Sequence, residues 1–135
     1  MVEITTRKLT GSDLARAIDS VRTDLDGAVV TFLGVVRRWS EGREVARLEY
    51  EAYEEMARNT MRRIVDEIKR RWNARAAIIH RVGRVEVGEI SLIIAVASPH
   101  RREAFEGCRY AIETLKRMAP IWKREVYADG ESSWI

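Results

Sequence analysis

Several things this sequence has little of narrow its reading. Cysteine occurs once, at Cys108, which excludes an internal disulfide. Proline occurs twice, at Pro99 and Pro120, both between periodic segments, so no proline-rich linker divides the chain. No apolar run approaches the ~20 residues that span a bilayer, and no contact with a membrane is expected. The opening MVEITTRKLT lacks the apolar stretch of a secretory signal. An intracellular, cytoplasmic location is the resulting expectation. There is no glycine-rich phosphate loop, no repeat and no low-complexity tract. His80 has no cysteine or carboxylate at metal-ligand spacing, and neither a metal nor a cofactor is expected. Lysine is scarce as well. The chain carries 20 Arg against 4 Lys, and two of those lysines, Lys116 and Lys123, fall within LKRMAPIWKRE at 115–125.

What is present fits one soluble domain over residues 1–135, large enough for a single core. Apolar residues make up 46% and charged residues 33%, outside the disordered range. The pI is about 9.3, but 24 basic residues face 21 acidic ones for a net charge of +3. Much of that charge falls on solvated helix faces, so the charge balance does not by itself point to nucleic acid.

Periodicity divides the chain into short elements. Residues 3–8 read as a short strand. LTGSDLARAIDSVR reads as a helix capped by Ser12, with Leu14, Ala15, Ile18 and Val21 as its stripe. The apolar run 27–36 reads as a buried strand, and RRWSEGR (37–43) as a basic loop turning at Gly42. Residues 45–53 alternate, with Ala46, Leu48, Tyr50 and Ala52 on one face, and are expected antiparallel to the strand before them. Residues 54–72 form the clearest helix, through Ala57, Met61, Ile64, Val65, Ile68 and Trp72. Then come ARAAIIHRV, a short VEV between Gly83 and Gly88, and the buried run 90–97. A helix over about 99–118 uses Phe105, Cys108, Ile112 and Leu115 as its core stripe, and 121–127 return as a strand. The order predicts an α+β fold, with helices packed on a mostly antiparallel sheet.

Three stretches carry candidate chemistry. In SPHRREAF, Ser98 and Pro99 suit a helix start. His100, Arg101 and Arg102 put cations where the helix dipole favours anions. Exposed amides and guanidinium groups there suit a phosphate or carboxylate; alternatively, Arg102 pairs with Glu106 at i,i+4 and the rest are solvated. In LKRMAPIWKRE, Lys116 lies about 3 Å before the helix end and Lys123 roughly 10 Å beyond Pro120. A reversal at Ala119-Pro120 lets the two side chains converge. Arg117 and Arg124 would then depress a lysine pKa, and lysine, unlike arginine, can move a proton. The alternatives are a helix-end cation and a surface lysine. In VVRRWSEGR, Arg37, Arg38, Arg43 and Trp39 can clamp a planar anion or form a solvated hairpin tip. Cys108, on a core stripe, reads as packed rather than reactive.

These stretches, in this order, resemble the large, catalytic subunit of molybdopterin synthase, the MoaE family. The resemblance rests on GAVVTFLGVVR (27–37), LEYEAY with Met56, IIHRVGRVEVGE (78–89), the HR..AF pattern of His100 to Phe105, and LKRMAPIWKRE with Gly130 and Trp134. It implies an α/β hammerhead domain with an additional antiparallel sheet, and a homodimer within a heterotetramer. The implied partner is a small ubiquitin-like sulfur-carrier subunit of the MoaD type, whose C-terminal Gly-Gly thiocarboxylate enters a pocket. Sulfur passes from it to cyclic pyranopterin monophosphate, forming the molybdopterin dithiolene of the molybdenum cofactor. By the same resemblance Lys116 and Lys123 are the catalytic lysines. Arg37, His100 and Arg101 fall on substrate-pocket positions, and Lys123, Arg124 and Glu125 on a further binding segment, in a pocket drawn from both protomers. The chain ends at Trp134-Ile135, where many family members continue with a charged tail. Two competing readings remain: a basic domain gripping RNA phosphates, for which no aromatic stacking platform is evident, and a scaffold that only docks a ubiquitin-like partner.

Overall fold

Residues 28–35 and 90–98, the most apolar stretches of the chain, lie side by side in a computed structural model that describes all 135 residues. They are β2 (Ala28–Val35) and β7 (Ile90–Ser98), antiparallel over the whole length of β2. β5 (Arg75–Arg81) pairs antiparallel with the other edge of β7, and β1 (Val2–Thr5) adds on in parallel, giving the order β1-β5-β7-β2. α1 (Gly11–Val21) covers one face over Ala77, Ile79, Ile93 and Ala95. α2 (Glu54–Trp72) and α3 (Arg101–Met118) cover the other over Ile78, Ile94 and Val96. Cover on both faces is why β5 and β7 read as continuous apolar runs rather than alternating ones.

A second sheet holds β3 (Trp39–Ser40), β4 (Arg43–Ala52), β8 (Ile121–Tyr127) and β9 (Ser132–Trp134) in that order, with β6 (Gly83–Glu86) also on β4. The turn expected at Gly42 is there. Glu41 and Gly42 both have positive φ, 48° and 81°, the two-residue hairpin geometry that favours glycine. The α+β class expected from the element order holds, and β1–β5 is the one parallel pair.

Local expectations fail in five places. β2, expected to be a buried strand, has no buried residue, because it is the outer strand of its sheet. β4 does not pair with β2, because β7 occupies one side of β2 and the hairpin after it carries the chain into the second sheet. A bulge between Val45 and Arg47 turns Ala46 outward and puts Val45 inside with Leu48. α1 is capped from Thr10, whose N–H donates to Asp13 Oδ2 at 2.8 Å, not from Ser12, and Ala17 rather than Ala15 is buried. α3 begins at Arg101. Ser98 still belongs to β7, where its hydroxyl donates to the His100 carbonyl at 2.6 Å. Phe105 is 61% exposed, because the buried face of α3 runs through Ala104, Gly107, Cys108 and Ala111.

Candidate active site

The two sheets meet beside the C-terminal turn of α3, and a cavity of about 490 Å³ opens there. The chain from Phe32 to Arg37 forms one wall, Leu48 and Tyr50 of β4 a second, and Ile121, Lys123 and Glu125 of β8 a third. His80 and Leu92 sit at the ends of β5 and β7, Leu115 and Lys116 come from α3, and Trp39 stands at the rim. The lining is therefore largely apolar, with a few convergent charges, the composition typical of a ligand site.

The reversal at Ala119-Pro120 does what the spacing of the two lysines requires. The Ala119 N–H donates to Leu115 O to close the helix, and β8 starts at Ile121. Alternation then points Ile121, Lys123 and Glu125 into the cavity, where Lys123 meets Lys116 and Arg37. Burial lowers the pKa of Lys123; the charges of Lys116 and Arg37 lower it further, against the opposing pull of Glu125. Glu125 is itself buried and accepts a 2.9 Å hydrogen bond from the Tyr127 hydroxyl.

The like charges on Lys123 are not those expected from sequence. Arg117 is exposed and away from the cavity. Arg124 projects from the opposite face of β8, where it binds the Glu49 carboxylate and lies 5.6 Å from the Trp134 ring. Within one chain Arg124 therefore does not line the cavity, unlike Lys123 and Glu125, with which the resemblance groups it. Of the proposed arginine clamp, Arg37 and Trp39 reach the cavity. Arg43 turns away to Asp129 (3.1 Å) and Glu131 (2.9 Å), and Arg38 to Glu44 (3.5 Å).

His100 and Arg101 are not brought to the cavity within one chain. They stand at the start of α3, and 15 residues at 1.5 Å per residue put Arg101 roughly 22 Å from Lys116. Both are exposed, whereas Arg102 takes the alternative pairing, to Glu106 at 3.2 Å. This helix end is tied to β2 by Gly27, whose N–H donates to the carbonyls of Ser98 (3.2 Å) and Pro99 (3.1 Å). A Cβ at Gly27 would sit 2.5 Å from the Pro99 oxygen, so only glycine allows this approach.

Two cavity residues escaped the sequence reading. Tyr50 looked like one more core position on an alternating strand. It stands opposite Lys123 in the β4–β8 register, and burial raises its pKa. His80 is 6% exposed, and its ring meets Tyr50 edge-on with centroids 5.2 Å apart. Burial lowers the His80 pKa and the nearby Lys123 charge adds to that, against a 2.7 Å hydrogen bond to the Arg81 carbonyl. The available signal was one polar ring in the otherwise apolar run AAIIH.

Comparison with known proteins points to one family. Residues 5–118 match the family model described as MoaE protein. The molybdopterin synthase catalytic subunit of Bacillus subtilis is 51% identical over 81% of this chain and 69% of its own length. That of Thermoplasma volcanium is 46% identical over 98% of this chain and 96% of its own. The crystal structure of molybdopterin synthase from Staphylococcus aureus aligns with a TM-score of 0.91 at 38% identity, over 98% of this chain and 95% of that one.

Proposed function

The chain belongs to the MoaE family, and from that premise we propose that it is the catalytic subunit of a molybdopterin synthase, a sulfurtransferase of molybdenum cofactor biosynthesis. The observation that carries the reading is the convergence of Lys116 from α3, Lys123 from β8 and Arg37 from the loop after β2 on one largely apolar cavity. Its substrate is cyclic pyranopterin monophosphate. Its sulfur comes from the C-terminal thiocarboxylate of a small ubiquitin-like partner of the MoaD type, and the reaction takes place in the cytoplasm.

The chemistry of the cavity suits both reactants. Apolar walls accept an extended Gly-Gly tail, and three cations favour a thiocarboxylate and a phosphate. Lys116, on the last turn of α3, handles protons as sulfur is transferred. Lys123 anchors the anion and shares its field with Lys116.

A homodimer completes this site. β2 is the outer strand of its sheet and carries no charged residue, so its edge is open to pairing. Antiparallel pairing with β2 of a second copy, about a two-fold axis near Thr31, sets the partner's Ala28 opposite Val35 at the cavity wall. Adjacent strands lie ~4.8 Å apart. Because Gly27 holds the start of α3 against the start of β2, the partner's His100 and the partner's Arg101 then arrive beside Arg37 as additional anion ligands. Two such chains with two small subunits make a heterotetramer.

The test is turnover of cyclic pyranopterin monophosphate with thiocarboxylated small subunit, read as molybdopterin formed. Lys116→Ala and Lys116→Arg are both expected to lose transfer while keeping partner binding. An active Lys116→Arg variant would remove the proton-transfer role, since arginine keeps only the charge. Partner binding without turnover by the unaltered chain would leave a docking scaffold instead.

A further inference from the structure

On the cavity side of β8, Lys123, Glu125 and Tyr127 follow one another at alternate positions. Glu125 thus has Lys123 on one side and Tyr127 on the other, each roughly 6.6 Å away along the strand. It is the only carboxylate lining the cavity, against Lys116, Lys123 and Arg37. A buried carboxylate beside a half-buried ammonium is expected to pair with it. Here it does not, since no ion pair of the chain involves Lys123 or Glu125. Glu125 instead accepts the Tyr127 hydroxyl at 2.9 Å. Tyr127 is itself fixed in place. It is 7% exposed and packs with Val36, Val45, Leu48 and Val85. Its N–H donates to the Glu131 carbonyl at 2.8 Å, and the Arg43 guanidinium lies 3.7 Å from its ring centroid. The bond to Glu125, together with burial and the carboxylate charge, raises the phenol pKa, so the hydroxyl stays a donor.

We propose that Tyr127 is a positioning residue, holding the Glu125 carboxylate away from Lys123 so that the ammonium stays free for an incoming anion. The groups facing Lys123 are Lys116 of α3, Arg37 after β2, Tyr50 of β4, His80 of β5 and Glu125 of its own strand. Glu125 is the one anion among them. Acting across the gap, it raises the Lys123 pKa without overcoming burial and the two neighbouring cations. In direct contact it would neutralise the lysine and take the place of a thiocarboxylate or phosphate. Tyr127 thus lets the cavity hold a carboxylate without losing a cation. The role in transfer rests on the sulfur-transfer reading above; the arrangement of Tyr127, Glu125 and Lys123 does not.

The scarcity of lysine supplies the test. With only Lys8, Lys69, Lys116 and Lys123 present, 13C-lysine labelling follows Lys123 directly. Tyr127→Phe keeps the ring beneath Arg43 and removes the hydroxyl alone. Glu125 is then free to pair with Lys123. An opposite charge in contact favours the ammonium, so Lys123 should titrate higher than in the unaltered chain. In a Glu125→Gln background the same substitution should leave Lys123 unmoved. The kcat/KM for sulfur transfer should fall about tenfold in Tyr127→Phe, as one cation is withdrawn from the substrate. An unchanged or lowered Lys123 titration in Tyr127→Phe would overturn the proposal, and so would a rise that persists in the Glu125→Gln background. A second readout leaves Tyr127 in place. With four tyrosines in the chain, 13C labelling at Cζ should show Tyr127 titrating lower in Glu125→Gln, and no change there would overturn the bond. These titrations decide the proposal even if the unaltered chain transfers no sulfur, a result that would count against the sulfur-transfer reading alone.

Discussion

At the residue scale, the cavity sets lysine against stability. Lys123 is half-buried beside two other cations, and its pKa is depressed. A base with a lowered folded pKa destabilises the fold while both states are protonated. That cost fades as pH rises through the folded value toward the ordinary lysine range. Lys123→Met is therefore expected to raise the melting temperature by a few degrees at pH 7, and the gain should shrink at alkaline pH. The same variant should lose sulfur transfer. Calorimetry at pH 7 and pH 10 checks the first outcome, and an unchanged or lower melting temperature at pH 7 contradicts it. The scarcity of lysine made Lys116 and Lys123 visible in the sequence. Nothing comparable marked Tyr50, since an aromatic residue on an alternating strand looks the same whether it faces a core or a cavity.

At the element scale, the starts of α1 and α3 illustrate opposite uses of a helix N-terminus. In α1 the terminus is neutralised. Burial alone would raise the Asp13 pKa, but hydrogen bonds from Arg7 (2.6 Å), Arg16 (2.9 Å) and the Thr10 N–H (2.8 Å) overcome it and hold the carboxyl well below the usual range. A carboxylate with a lowered folded pKa stabilises the fold above its unfolded value, near pH 4, and loses that contribution as pH falls further. Asp13→Ala is expected to cost about 1–3 kcal/mol at neutral pH, with the difference from the unaltered chain shrinking below pH 4. Denaturant midpoints across pH 2–7 measure this; a cost that does not vary with pH would mean that Asp13 acts by packing alone. In α3 the terminus presents His100 and Arg101 to solvent, and only Arg102 is paired. Both helices were legible from their periodicity. Their first residues were not, because Ser12 and Ser98 are good caps in isolation and a competing local bond, Thr10 to Asp13 or Ser98 to His100, decides the start.

At the scale of the whole molecule, the distance along α3 makes a strong demand. If one cavity uses Lys116 of its own chain and the partner's Arg101, variants lacking either residue should complement one another. Lys116→Ala and Arg101→Ala are each expected to be impaired as pure dimers. After mixing and subunit exchange, half of the dimers hold both variants, and each of those has one intact cavity, so roughly a quarter of full activity should return. No recovery, despite exchange confirmed by native mass spectrometry, would place Arg101 outside the site. A lysine at Thr31, on the open edge of β2, should give a monomer by analytical ultracentrifugation with little transfer activity.

The sequence by itself determined the element types, the α+β class and the concentration of chemistry around Pro120. These follow from local periodicity and from which side chains can hold or move a proton. Tertiary structure alone decided that β4 leaves β2 for a second sheet, that Arg124 turns away from Lys123, and that His80 and Tyr50 line the cavity. Those outcomes depend on which strand edges pair and which face each side chain takes, and one bulge or one change of partner reverses a face without altering any local pattern. The separation of Arg101 from Lys116 lay between the two: the helix length that implies it was readable, but its meaning required knowing where the edge of β2 points.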